Sequence, residues 1–384
     1  MFGQIVVGPP GCGKTTYCNG MQQYLRLIGR EAFVINFDPA NEGISRTQHR
    51  ENDSPDHDGA SQSQPTNTIL PYDTILDVSE DVVNLSSVMA QLQLGPNGAL
   101  LYCMEYIEHH LTDIIHILVE RLKLEKYKQC SYLLFDFPGQ VELFTHSASV
   151  RNIAARVSKE LDIKLCAVQL IDAYYCTDAS KFIAASLLTT TTTIRLELPI
   201  VNILSKIDLL NQYGKMPYNL EYFMECQELD RLVDYIDGQN LDEEGVEDED
   251  KRIPTNGSYT SYLDDEEYQL ARSKKYHSNF FRRYQKLHQL LCEVIDDYSL
   301  INFVPLNISD AVSVGRVLSK IDRANGYIFK SIERDPWNNT SVQNMFNCAI
   351  QMDPENRFEQ VADIHERYLG TYQEDINDLS SIKH

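Results

Sequence analysis

The chain has 384 residues, 43% of them hydrophobic, with a formal net charge of −22 and a pI near 4.8. Length and apolar content suit one large domain or two ordinary ones, while the acidic balance argues against a surface that neutralises the phosphates of nucleic acid or anionic lipid. Nine scattered cysteines with no Cys-x-x-Cys pair suggest neither a disulfide framework nor a zinc site. No stretch approaches the roughly 18 apolar residues of a membrane span, and Met1 leads straight into an apolar segment, so a soluble intracellular protein with free thiols is expected.

Short apolar runs bounded by turn residues alternate with amphipathic segments, the pattern of an α/β fold in which helices flank a mostly parallel sheet. A strand is expected at residues 2–7 and a helix at 14–27. Between them lies Gly8-Pro9-Pro10-Gly11-Cys12-Gly13-Lys14-Thr15, followed by Thr16. Glycines in such a loop let the backbone turn its N–H groups inward on phosphates. Lys14 supplies positive charge to the β- and γ-phosphates, Thr15 offers a hydroxyl to Mg²⁺, and the new helix adds its positive end. These features predict a P-loop NTPase.

A second strand at 32–37 runs into Asp38-Pro39-Ala40-Asn41-Glu42, where Asp38 is placed to polarise water or support a metal shell; turn formation is the simpler reading of that acid alone. Residues 45–68 hold one apolar residue besides prolines, Ala60, too few to offset the entropy of ordering them. Helices are expected at 82–92 and 103–124, with Gly95-Pro96-Asn97-Gly98 between them reading as a tight turn. A strand at 132–135 ends in Asp136-Phe137-Pro138-Gly139-Gln140-Val141-Glu142. There Asp136 is a candidate to hold Mg²⁺ through water and Gly139 to donate its N–H to a γ-phosphate, and Gln140 and Glu142 are candidates to orient the attacking water.

A helix at 149–161, a strand at 165–171 and a helix at 178–188 follow, with five threonines, 189–193, linking that helix to a strand at 200–204. The strand leads into Ser205-Lys206-Ile207-Asp208. A carboxylate such as Asp208 can accept two hydrogen bonds from guanine and none from adenine, while Lys206 can lay its stem over the base. Residues 242–250 carry seven acids within an acidic insertion at about 237–264. A long helix then shows Leu287, Leu290, Leu291, Val294 and Ile295 at helical spacing, read as a core-facing stripe, before a last strand at 301–304. Residues 1–330 are expected to form the P-loop domain, with helical insertions, and 331–384 a polar, partly disordered extension.

Gly8 to Thr16, Asp38 to Glu42, Gly95 to Gly98, Leu101-Tyr102-Cys103-Met104-Glu105-Tyr106 and the Asp136 to Glu142 run together resemble the GPN-loop GTPases. Tyr175-Cys176-Thr177-Asp178, Val304 to Ile308 and Ala324-Asn325-Gly326-Tyr327 are similar to one eukaryotic branch, and Glu366-Arg367-Tyr368-Leu369 to its C-terminal end. The resemblance implies GTP/GDP and Mg²⁺ as ligands. It also implies a homodimer or a heterodimer with related GPN-loop GTPases, in which Asn97 reaches the partner's nucleotide site. RNA polymerase II subunits or assembly factors are its implied clients, with no direct contact to nucleic acid or membrane, and the cytoplasm its implied location, nuclear shuttling being left open. Two departures stand out: Ser205 replaces the usual Asn of small GTPases, and Pro305-Leu306-Asn307 lacks the common Ser-Ala-Lys pattern of the last base-contacting loop. A P-loop ATPase or kinase, and a nucleotide-holding scaffold with negligible turnover, are the competing expectations.

Overall fold

The computed structural model describes residues 1–41, 70–214, 216–236, 279–298 and 301–329, together with Ile364 and Arg367. Glu42, both expected insertions and most of the expected 331–384 extension lie outside the described residues. Seven strands form one sheet: β1 (Phe2–Val7), β2 (Ala32–Asn36), β3 (Thr74–Asp77), β4 (Tyr132–Asp136), β5 (Lys164–Asp172), β6 (Ile200–Ser205) and β7 (Phe303–Leu306). Their order is β3-β2-β4-β1-β5-β6-β7. β1 pairs in parallel with β4 and β5, β2 with β3 and β4, and β6 with β7. Every residue of β1, β2 and β4 is buried, as in a parallel sheet covered on both faces.

The helices up to β5 are α1 (Lys14–Leu27), α2 (Val78–Asp81), α3 (Leu85–Leu92), α4 (Pro96–His109), α5 (Leu111–Leu122), α6 (Glu142–Thr145) and α7 (Ser149–Glu160). After it come α8 (Ala179–Leu196), α9 (Leu210–Tyr213), α10 (Leu220–Glu225), α11 (Asp230–Val233), α12 (Asn279–Tyr298) and α13 (Ala311–Ala324). None of the described helices is long and apolar enough to cross a membrane. The chain divides into two compact units, the first within residues 1–170, 196–200 and 308–327, the second within 171–195, 201–307 and 328–384.

In the first unit the core gathers Ile5, Val7, Ile35, Phe135 and Phe137 from the strands and the loop after β4 against Met104, Ile107 and Ile153 from helices. A buried polar chain runs through it. Tyr17 donates its hydroxyl proton to Gln4 Oε1 at 2.8 Å, and Gln4 Nε2 and Asn325 Nδ2 donate to the Tyr132 hydroxyl at 3.0 and 3.1 Å. Arg30 pairs with Asp322 at 2.7 Å and lies over the Tyr327 ring, 3.9 Å from its centre. The Ala324-Asn325-Gly326-Tyr327 run therefore fastens the end of α13 to β4 and to the segment that follows α1.

Several sequence expectations are corrected. The helix expected at 103–124 is two, α4 and α5, broken at His110, whose Nδ1 donates to the Tyr106 carbonyl at 3.0 Å while its ring stacks on Tyr106. Residues 95–98 are a helix start, with Gly95 as cap and Pro96 in the first turn, where its missing N–H is harmless. The helix expected from 82 begins at Leu85, capped by the Asn84 side chain accepting from Ser87 N–H at 3.2 Å. The edge strand β3 was unanticipated, because only Ile75 and Leu76 supply an apolar signal.

In the second unit the threonines at 189–193 lie inside α8. Each hydroxyl donates to the carbonyl four residues back, at 2.8 to 2.9 Å, which satisfies the side chains without leaving the helix. The stripe on α12 is also corrected. Phe281, Cys292 and Ile295 join the core of this unit with Phe182, Phe223 and Phe303, whereas Leu287, Leu290 and Val294 are 51%, 48% and 46% exposed. The helix is rotated so that only Ile295 of the five is buried and Leu291 is half-buried. Ile295→Ala is therefore expected to lower unfolding stability by about 2–4 kcal/mol and Leu287→Ala by under about 1 kcal/mol, measured by chemical denaturation; equal losses would sink this assignment of faces.

Candidate active site

Gly13 has φ 92° and caps α1 with no side-chain hydrogen bond. A left-handed residue there is easiest as glycine, and it leaves the N–H groups of the first helical turn without a side-chain partner from the cap. Lys14 folds back over its own loop, its Nζ donating to the carbonyls of Gly8 at 3.1 Å and Pro9 at 3.2 Å. Gly8, Pro9 and Cys12 are buried, and Pro10, Gly11 and Thr16 face outward. A methyl group at Gly139 would come within 2.5 Å of Lys14 Nζ and 3.2 Å of Pro10 Cα, so the loop after β4 lies directly on the Lys14 ammonium.

Asp136 is 1% exposed at the end of β4. Its Oδ2 accepts from Thr15 Oγ1 at 3.0 Å and from the Tyr72 hydroxyl at 2.9 Å. Burial pushes its carboxyl up to about 6, Asp38 adds to the rise, and the Tyr72, Thr15 and Lys14 contacts oppose it. Asp38 is also raised, first by burial; its Oδ1 accepts from Ala40 N–H at 2.9 Å, while its own N–H donates to Asn36 Oδ1 at 3.1 Å. Behind it Asn36 Nδ2 donates to Asp77 Oδ1 at 2.9 Å, and the same oxygen accepts from the N–H and the hydroxyl of Ser79.

A cavity of about 590 Å³ brings Lys14, Asp38, Asn97, Gly139, Gln140 and Glu142 together in this unit. Gln140 Oε1 is buried with no hydrogen-bond partner, an acceptor held toward nothing the protein itself supplies. Glu142 is exposed at the start of α6. Asn97, expected to act across a dimer, lines the cavity of its own chain and is exposed. Thr15 and Asp136 fit a small hard cation such as Mg²⁺, since both offer oxygen. No group of three or more His, Cys, Asp or Glu is assembled among the described residues, so the remaining ligands would be phosphate oxygens and water.

The residues expected to read the base lie in the second unit. Ser205 Oγ donates to the Ile171 carbonyl at 3.0 Å, so the serine ties the ends of two strands although the usual asparagine is missing. Lys206 has φ 59° and its Nζ is held by Asp172 Oδ2 at 2.7 Å. Asp208 stands exposed on the 3₁₀ turn Ile207–Leu209. Asn307 is buried after β7. Tyr72, Asn36, Asp77 and Asp172 escaped sequence reasoning. Asn36, a polar residue in an otherwise apolar strand, was the one visible signal.

Two predictions follow from the geometry around Lys14 and Asp136. Gly139→Ala is expected to displace the Lys14 ammonium and weaken nucleotide binding by about 10-fold or more, measured by equilibrium binding, while the fold persists because the severe overlap is with a flexible side-chain end and the Pro10 backbone is only slightly crowded. For Asp136 the native carboxyl titrates near 6 against an ordinary 3.8. Between these values the native state holds more protons than the unfolded one, so the group stabilises the nucleotide-free protein below about pH 4 and that contribution is lost as pH rises through about 6, on the order of 3 kcal/mol. Asp136→Asn should flatten the corresponding part of the stability profile; an unchanged profile would refute it.

A family profile described as "Conserved hypothetical ATP binding protein" matches residues 6–47 and 64–327. GPN-loop GTPase 2 of Danio rerio is 37% identical over 98% of this chain and 95% of its own length. GPN-loop GTPase QQT1 of Arabidopsis thaliana is 37% identical over 96% and 97%, and GPN-loop GTPase 2 of Saccharomyces cerevisiae 35% over 86% and 76%. The apo crystal structure of a GTPase from Pyrococcus abyssi is 16% identical and shares the fold, with a TM-score of 0.50 over 84% of this chain and 97% of that one. With near-full-length relatives at this identity and a P-loop at the carboxyl end of a central strand of the expected sheet, the chain belongs to the GPN-loop GTPase family.

Proposed function

We propose that the chain binds GTP with Mg²⁺ and hydrolyses it to GDP as a dimeric switch. One observation carries this reading: Lys14, Gly139 and the unpartnered acceptor of Gln140 border a single cavity, and the Thr15–Asp136 pair adjoins Lys14 in sequence and charge. Bound phosphates would draw Lys14 Nζ off the Gly8 and Pro9 carbonyls and accept from the backbone N–H groups of the loop and of the first turn of α1. Thr15 and Asp136 would hold the magnesium, which when bound neutralises charge on the β- and γ-phosphates. Gln140 Oε1 would accept a hydrogen bond from the attacking water and set its line of approach, with Asp38 and Glu142 beside it and Gly139 N–H donating to the γ-phosphate. Such positioning is most of what phosphoryl transfer requires of a protein.

Base choice rests on Asp208, whose exposed carboxylate is available to guanine N–H groups, and on Lys206, whose stem is fixed by Asp172. Single-turnover assays with GTP and ATP test the reading. Wild type should turn over GTP preferentially, Gln140→Ala should be slower by about 100-fold, and Asp208→Asn should shift preference towards xanthosine triphosphate. Equal and negligible rates for wild type and Gln140→Ala would instead mark a nucleotide-holding scaffold, and a preference for ATP would remove the guanine assignment.

Dimerisation is supported by exposed Leu92, Leu94, Leu101 and Tyr102, which flank the Gly95 to Gly98 helix start. A second copy, or a related GPN-loop GTPase, would cover them and present its Asn97 amide to the γ-phosphate. Mixing Asn97→Ala with Lys14→Ala chains is expected to restore turnover, because one composite site then carries both residues; no restoration would mean that Asn97 acts within its own chain, where the cavity holds it. By resemblance, the switch serves assembly of RNA polymerase II from the cytoplasm, and the acidic chain suits protein surfaces over nucleic acid.

A further inference from the structure

Tyr72 precedes β3 and is 6% exposed. Its hydroxyl donates to Asp136 Oδ2 at 2.9 Å and accepts from Asn41 Nδ2 at 3.1 Å. An amide N–H can only donate and a phenol has one proton, so the bonds run in a single direction, from Asn41 through Tyr72 to Asp136. Thr15 Oγ1 reaches the same carboxylate oxygen at 3.0 Å. Two donors from separate parts of the chain, one in α1 and one ahead of β3, thus converge on Oδ2.

We propose that Tyr72 is a positioning residue for magnesium nucleotide: it holds the Asp136 carboxylate in its working orientation and, through Asn41, joins the Asp38 to Asn41 turn to that orientation. The proposal rests on the reading of Thr15 and Asp136 as the metal-holding pair. A purely space-filling role would need the aromatic ring alone. The hydroxyl is instead buried against an acid and a neighbouring amide, where loss of the donor leaves a charged acceptor with one partner fewer. The Asn41 backbone N–H also donates to the Asp38 carbonyl at 3.1 Å, so the turn that carries Asp38 ends on the residue that touches Tyr72.

The test is the release rate of fluorescent GDP from the full chain in Mg²⁺ and in EDTA. Wild type should release slowly in Mg²⁺ and faster in EDTA. Tyr72→Phe keeps the ring and should leave the EDTA rate within about twofold, while speeding release in Mg²⁺ so that the ratio of the two rates falls about tenfold. Asn41→Ala should lower the ratio in the same direction by less, and it carries the test if Tyr72→Phe does not fold, as judged by thermal melting in EDTA. A ratio unchanged in both variants, or release accelerated equally in both solutions, overturns the proposal. Wild type with no magnesium effect overturns the metal reading itself, and this proposal with it.

Discussion

The constraint on which the first unit depends is a carboxylate buried at the C-terminal end of a central strand. An ionised acid so enclosed costs several kcal/mol unless donors and opposite charge surround it, and Asp136 finds them in Thr15, Tyr72 and Lys14. The register supplies that company. Val6 of β1 and Asn36 of β2 stand opposite Asp136 on its two sides, and Asn36 in turn stands opposite Asp77 of β3. The chain leaving β1 therefore enters the P-loop beside the acid, and the chain leaving β2 enters the Asp38 turn on its other flank. Ligands of parallel sheets bind at these carboxyl ends because parallel strands bring all their exits to one edge.

Asp77 extends the same logic one strand outward. It accepts from Asn36 and twice from Ser79, and Asn36 accepts from the backbone of Asp38. The position of Asp38 is thus set by a buried polar chain and not by the turn alone, which is why an asparagine is tolerated in a strand that is otherwise Ala, Phe, Val and Ile. A hydrophobic residue at 36 would fill the same volume, take away the Asn36 acceptor of the Asp38 N–H, and leave Asp77 with its two Ser79 donors alone.

Legibility in the sequence follows the range of the interactions. The P-loop, β1 and α1 were readable to the residue because glycine conformation, strand period and helix period are local properties. The place of Asp136 at the end of β4 was readable as well, since the apolar run stops there and a Pro-Gly turn follows. Tyr72 was not: its partners Asn41 and Asp136 are 31 and 64 residues away. The break at His110 and the placement of 189–193 inside α8 turn on hydrogen bonds to carbonyls four residues back, which compete with the helix or support it according to details that periodicity does not register. The face of α12 misled for another reason. Its apolar residues cover more than one side, and only packing against Phe182, Phe223 and Phe303 selects the side carrying Phe281, Cys292 and Ile295.

The charge around the cavity sets what can occupy it. Among the described residues that line it, Lys14 alone is cationic, against Asp38 and Glu142, and Asp136 lies just behind. A nucleoside triphosphate brings several negative charges of its own, so Lys14 and the positive end of α1 would face an excess of anions. The rise in the Asp38 and Asp136 carboxyl groups expresses the same excess before any phosphate arrives, as burial deprives each acid of water, Asp38 opposes ionisation of Asp136, and Asp77 opposes that of Asp38. A divalent cation would reverse this balance: Asp136 would gain an opposite charge as its partner, and the phosphates would share that charge. In the reading proposed above, the backbone N–H of Gly139 and the amide of Asn97 would add neutral donors to a transition state. Neutral donors are effective only where they are held in place and kept dry. Asn97 lines the cavity and is exposed, so in the proposed dimer that condition would be met by a second copy closing over it, resting on the exposed leucines and tyrosine beside Asn97.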